Sequence, residues 1–266
     1  MGYAAFDLGL LKGQFLKKTV LWLESRLLRC FDRVSTISER MLALLQDKLG
    51  AKNSAVLFPN WVDLNRITPL SGPIPLRSEL DIPEDKLVLL YSGNMGQKQG
   101  LNMIIDAARC LADDPRFVFL LCGDGVTKAR LQAASIDLPN VRWLPLQPVE
   151  RLNELLNLAD IHLLPQSADV ADLVMPSKLT GMLASGRPII ATAMPDTQVA
   201  KVVSKAGKVV YPDDIPALVD AILNLAADQS MRQQFGRAGR NWIERHWDKD
   251  KVFANFERVL VQLVSE

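Results

Sequence analysis

Histidine and cysteine are scarce in this chain, with two and three among 266 residues. His162 sits inside an apolar run and His246 close to a helical segment's end, and neither has a partner at zinc-ligand spacing, so the expectation is no metal centre. Cys30, Cys110 and Cys122 lie far apart, match no zinc or redox spacing and suit buried thiols in a reducing compartment. An excess of charge of one sign is also missing. The formal net charge is +1, so no global field recruits nucleic acid. No apolar stretch reaches the ~18 residues of a bilayer-spanning helix, and the first residues lack the pattern of a cleavable signal peptide. Gly-x-Ser-x-Gly, Gly-x-Gly-x-x-Gly and P-loop motifs are absent. Those absences count against a serine hydrolase, a dinucleotide oxidoreductase and a P-loop ATPase.

What is present is an alternation. Short apolar runs at 87–92, 117–122, 141–144, 161–164, 189–192 and 208–211 read as strands covered on both faces. Helix-period patterns lie between them, at 101–112, 127–134, 149–158, 176–185 and 197–204. Strands alternating with helices imply an α/β fold, a doubly wound parallel sheet of Rossmann-like type. Before it, 10–31 and 39–49 read as helices and 34–37 and 55–58 as short strands, a partial αβαβ piece. Three helices, 214–227, 231–246 and 249–264, close the chain. Pro59 to Pro83 is proline-rich and reads as an interdomain linker. The expected divisions are therefore 1–58, 59–83, 84–247 and a last helix at 248–266.

The chemistry-bearing segments fall at the expected carboxyl ends of the strands, where such sheets bind ligands. Gly93-Asn94-Met95-Gly96-Gln97-Lys98-Gln99-Gly100 links a buried strand to a helix start. Glycines there permit tight backbone geometry, and a helix N-terminus offers free N–H groups to an anion. Lys98 could add an ammonium beside a diphosphate, or be a solvated lysine. Gly123-Asp124-Gly125 follows the next strand; Asp124 could orient a ligand hydroxyl or cap the helix at Thr127. The stiff loop Pro145-Leu146-Gln147-Pro148-Val149 could present backbone groups to a nucleobase, or be a plain turn. Pro176-Ser177-Lys178 opens a second helix facing the same crevice, with Lys178 a second diphosphate cation or an exposed helix lysine. Asp169 and Asp172 before it could contact sugar hydroxyls or be solvated acids. At the other end, 10–31 mixes Lys12, Lys17, Lys18, Arg26 and Arg29 with Phe15, Trp22 and Phe31. That pattern suits either a membrane-surface face or a core helix with a basic edge.

Taken in order, several segments resemble the retaining glycosyltransferases of family 4, of the two-domain GT-B fold. They are Val34-Ser35-Thr36-Ile37-Ser38-Glu39, Phe58-Pro59-Asn60-Trp61-Val62-Asp63, Leu89 to Gly96, Gly123-Asp124-Gly125, Asn140 to Leu144, Ala159-Asp160-Ile161 and Gly186 to Thr192. The forms Gly-Asn-Met-Gly-Gln-Lys-Gln-Gly and Met-Pro-Ser-Lys-Leu-Thr look closest to the WcaI-type enzymes of colanic acid and exopolysaccharide assembly. The resemblance implies sugar transfer from a GDP- or UDP-sugar to a lipid-linked or saccharide acceptor, with no metal, no cofactor and no nucleic acid. The expected location is the cytoplasm, with contact to the inner face of the plasma membrane if 10–31 is a membrane-surface face. The candidate donor site comprises Gly93, Asn94, Gly96, Lys98, Gly123, Asp124, Gly125, Leu146, Val149, Ser177 and Lys178, with Asp172 and Thr180 as substitutes by proximity for family contacts that do not carry over. The departures are specific: Asn94 stands where the family commonly has Arg, Gln99 where it has Lys, and Gly181 with Leu173 or Asp172 where it often has a spaced pair of glutamates. The resemblance further implies that 1–58 is the end of an acceptor-binding domain, so that acceptor-side catalytic groups would lie upstream and the enzyme would be incomplete. A nucleotide-sugar-binding module without turnover and a GT-B-like epimerase are the alternative readings. The epimerase reading suffers from a shortage of acid and base groups near the loops.

Overall fold

The computed structural model describes residues 14–50, 55–167 and 175–265. The chain divides into two compact units. The smaller takes residues up to Pro59 and those from Asn255, and the larger spans Asn60–Ala254.

In the larger unit six parallel strands form one sheet: β3 (Leu87–Ser92), β4 (Phe117–Cys122), β5 (Val141–Leu144), β6 (Ile161–Leu164), β7 (Ile189–Thr192) and β8 (Gly207–Val210). The order β5-β4-β3-β6-β7-β8 reverses direction between β3 and β6. Side chains alternate across the sheet. Leu89 and Tyr91 pack on one face with Phe119 and Leu121, and Val88 and Leu90 on the other with Val118 and Leu120. Burial on both faces is why these strands read as continuous apolar runs. The last strand starts one residue earlier than the sequence suggests. Gly207 pairs with Ile189, so close that a Cβ would stand 1.8 Å from the Ile189 carbonyl oxygen, while Tyr211 leaves the sheet exposed.

Several helices are shorter than their periodicity. The pattern at 149–158 resolves into a 3-10 turn, Val149–Arg151, and a helix, Leu152–Leu158. The final helical pair begins at Gln229 rather than 231, because Asp228 caps it by accepting from the Met231 N–H. Residues 60–83 fold onto the sheet-bearing unit. Ile67, Leu76 and Ile82 are buried there, and a short helix, Pro75–Glu79, forms within the proline-rich stretch. Asn153 and Asn157, one turn apart on Leu152–Leu158, accept from the N–H groups of Thr68 and Leu70 and tie that stretch down.

His162 is wholly buried in β6. Its Nε2 lies 3.1 Å from Ser185 Oγ, whose hydroxyl donates to the Met182 carbonyl, so Nε2 carries the proton. Burial, with Arg187 nearby, pushes this imidazole down to about 3, and it is a neutral core residue.

In the smaller unit β1 (Val34–Thr36) pairs in parallel with β2 (Ala55–Leu57). Helix α1 (Gln14–Leu28) precedes them; helix α2 (Glu39–Leu49) lies between, capped by Ser38 and ended by left-handed Gly50. The helix Lys249–Ser265 begins in the larger unit and ends in the smaller, where Phe256 stacks on Phe58 at 4.4 Å.

Candidate functional site

The reversal of strand order puts the loops after β3 and β6 side by side, the place where doubly wound sheets bind ligands. The loop after β3 is braced by the loop after β4. Gly93 N–H donates to the Cys122 carbonyl (3.0 Å) and Met95 N–H to the Asp124 carbonyl (2.7 Å). Thr127 returns two bonds to the Met95 carbonyl, from its N–H (3.0 Å) and its hydroxyl (2.7 Å). Gly123 and Gly125 are explained by this contact. At φ +146° and +150°, a Cβ would lie 2.0 Å from the Gly93 oxygen and 2.6 Å from the Met95 oxygen, respectively. Gly93 itself has φ +133° and Gly100 φ +63°, with Gly100 pressed against the Gln166 backbone. Gly96, at φ −86°, does not need glycine's freedom, which corrects the expectation that it serves a tight turn.

Lys178, at the start of the seven-residue helix Lys178–Ala184, reaches over this loop. Its Nζ donates to Tyr91 Oη (2.9 Å) and Gln99 Oε1 (3.2 Å) and lies 4.3 Å from the Tyr91 ring centre. A Cβ on Gly93 would be 3.4 Å from it. Among the described residues no carboxylate pairs with this ammonium. Burial pushes it down to about 8. A half-buried cation served only by neutral oxygens and a ring is an electrostatic vacancy for an anion.

Beside Lys178 opens a cleft of about 450 Å³, lined by Trp61, Asp63, Arg66, Val149, Glu150, Asn153 and Ser177. Lys98 and Asp124 are exposed and do not line this cleft; Asp124 accepts from the Gly125 N–H and does not cap the helix that Thr127 precedes. Asn94 is exposed, and Leu146 is 71% exposed at the tip of its loop. Thr180 is buried and spends its hydroxyl on the Ser177 carbonyl. Asp169 and Asp172 lie outside the described residues.

The helix starts are less free than expected. A 3-10 turn, Gln97–Gln99, intervenes before the helix Asn102–Cys110, and Met103 and Ile104 N–H bond to Gly100 and Leu101. Leu179 and Thr180 N–H likewise bond back to Pro176 and Ser177. The positive charge of the site therefore rests on Lys178 more than on helix ends. Sequence reasoning passed over Tyr91, Gln99 and the Trp61–Arg66 wall. Tyr91 carried a signal, a phenol near the end of a largely apolar strand, two residues before the glycine turn. Among the described residues there is no group of side chains able to hold a metal ion.

Residues 75–242 match the sequence profile described as Glycosyl transferases group 1. The chain belongs to this family. Over 232 residues it is 36% identical to the putative colanic acid biosynthesis glycosyl transferase WcaI of Escherichia coli K12, an alignment covering 85% of this chain and 56% of that protein. The probable glycosyltransferase WbjE of Pseudomonas aeruginosa is 26% identical over 66% of this chain and 44% of its own length. The chain thus spans about half the length of the curated relatives it matches. Two solved structures share the fold. Sucrose-phosphate synthase from Thermosynechococcus elongatus aligns with a TM-score of 0.78 at 20% identity, over 98% of this chain and 66% of its own. Anabaena HepE, in complex with UDP and glucose, aligns at 0.77 and 17%, over 92% and 67%. The architecture of this group 1 glycosyl transferase is accordingly that of the GT-B enzymes.

Proposed function

We propose that this chain supplies the donor half of a retaining glycosyltransferase. It would move a sugar from a GDP- or UDP-sugar to a lipid-linked or saccharide acceptor, in exopolysaccharide assembly of the colanic acid kind. The observation that carries the reading is Lys178, a half-buried ammonium without a carboxylate partner among the described residues, poised over the Gly93 loop at the strand-order reversal. The bond between the donor's anomeric carbon and the diphosphate oxygen breaks with its electron pair left on that oxygen, while the anomeric carbon bonds the acceptor's hydroxyl oxygen, whose proton passes to the departing diphosphate. Charge grows there, and Lys178 stabilises it, with exposed Lys98 as a second cation. Asp124 and the Leu146–Val149 loop hold the nucleoside; Ser177 and Thr180 shape the sugar side. The relative named for colanic acid biosynthesis supports the exopolysaccharide setting, and the HepE complex with UDP and glucose supports a nucleotide-sugar donor. The test is a thermal-shift panel of GDP, UDP, their sugars and the free nucleosides, because a ligand that binds only the folded state raises its melting temperature. Diphosphates should stabilise more than nucleosides. No stabilisation by any diphosphate would overturn the reading.

We also propose that the enzyme works at the cytoplasmic face of a membrane through α1. Trp22 (59% exposed), Leu23, Leu27 and Phe31 lie open to solvent, near exposed Lys18 and Arg26, and Arg26 sits 5.6 Å from the Trp22 ring centre. Apolar anchors among basic side chains match an anionic lipid surface. Residues 10–13 of that expected face lie outside the described residues. The chain should co-sediment with vesicles containing phosphatidylglycerol and much less with pure phosphatidylcholine, and Trp22→Ser should release it. Equal recovery in both pellets would remove the proposal.

A further inference from the structure

Tyr91 is fully buried on the sheet face it shares with Leu89 and Phe119, yet its hydroxyl is used in both directions. It donates to the Asn94 carbonyl at 2.6 Å and accepts from Lys178 Nζ at 2.9 Å. One phenol thereby ties the backbone of the glycine loop to the cation that stands over it. Its ring, 4.3 Å from the same Nζ, gives the ammonium a second, charge-preserving contact. Gln99, from the far end of the loop, accepts a further N–H at 3.2 Å.

We propose that Tyr91 is a positioning residue for the donor's diphosphate, holding Lys178 over the Gly93 loop. This rests on the reading of the cleft as a nucleoside-diphosphate site. An ammonium has three N–H donors. Two are committed to neutral oxygens, and the third is left for a phosphate oxygen. A lysine side chain is long and loses much rotamer freedom when a ligand clamps it. Tyr91 clamps it beforehand, so the anion meets a cation already in place. Burial pushes the phenol well above its usual range, so the hydroxyl stays neutral and keeps both its donor and its acceptor role. A carboxylate in the same position would have neutralised the lysine and closed the vacancy.

The experiment is isothermal calorimetry on the full chain, with UDP or GDP, whichever binds, and the matching nucleoside as probes. Tyr91→Phe keeps the ring and its packing but removes the oxygen. It should weaken diphosphate binding ~5–10-fold, as for loss of one hydrogen bond of ordinary net strength, and leave the nucleoside unchanged. In a Lys178→Met background the same substitution should have no further effect on the diphosphate, because the group it positions is gone. Gln99→Leu, remote from the core, should give a smaller loss of ~2–3-fold that is again confined to the diphosphate. An equal loss for diphosphate and nucleoside, an undiminished loss without Lys178, or no loss at all would overturn the positioning role. A wild-type chain that binds the nucleoside but gains nothing from the diphosphate would overturn the site reading, and this role with it.

Discussion

Replacing Lys178 by Met lowers affinity for a nucleoside diphosphate by ~10–100-fold, the worth of one charge-assisted contact, and at the same time makes the folded chain more stable. The two effects have one cause. Folding takes the ammonium out of water and, among the described residues, offers it the Tyr91 hydroxyl and ring and the Gln99 amide oxygen in return. Methionine fills the same space without the desolvation cost, and replacing buried ion pairs by apolar side chains is neutral or stabilising by about 1–4 kcal/mol. The lower half of that range applies here, since Lys178 is only partly shielded. The pH dependence has a definite sign. The folded state holds this amine at about 8, against 10.5 for an unperturbed lysine. Between those values the unfolded chain binds a proton that the folded chain has released, so stability rises with pH across that window. Below pH 8 both states are protonated, and the whole cost of burial remains. Nucleotide affinity runs the other way and falls above pH 8 as the cation is lost. Denaturant titrations at pH 7 and pH 10 with calorimetry on both proteins check this. A Lys178→Met protein that is less stable at pH 7 and binds diphosphate normally would refute the vacancy.

Gly123→Ala should be the most damaging small substitution in the site. The residue sits at φ +146°, and its Cβ would be placed 2.0 Å from the Gly93 oxygen. Left-handed strain alone costs roughly 1–2 kcal/mol. Forcing the two loops apart adds about 1–3 kcal/mol as for an overpacked interior, and it strains the bonds from Gly93 and Met95 that join them. The melting temperature should fall by about 10 °C for a chain of this size, and nucleotide binding should go with it. Gly72→Ala separates the two contributions. Gly72 has φ +102° but nothing within 4 Å of its Cβ position, so it should show the strain without the collision. If both variants melt alike, the loop-to-loop contact is not what requires glycine at 123.

The sheet was legible because its strands are buried on both faces. Runs such as Leu87–Ser92 and Phe117–Cys122 leave no polar face to confuse with a helix, and their bounds match the structure. Helix ends were less legible, because local bonds decide them. The Asp228 cap starts one helix early, and the 3-10 turn at Val149–Arg151 delays another. The proline-rich stretch 59–83 looked like a tether by composition. Its burial depends on Asn153 and Asn157, far away in sequence, and no local pattern announces that.

The sequence by itself determined the fold class and the strand ends, because hydrophobic period and glycine placement are local properties, and its ordered segments from Val34 to Thr192 carried the resemblance to the family. The tertiary structure alone decided which groups share the cleft and in what electrical state. It shows that Gly123 and Gly125 serve the contact between two loops, and that Lys178 is the desolvated cation while Lys98 remains in water. It also shows that Tyr91 joins that cation to the loop. Desolvation and hydrogen-bond partnership arise from residues distant in the chain, and only the folded arrangement brings them to one point.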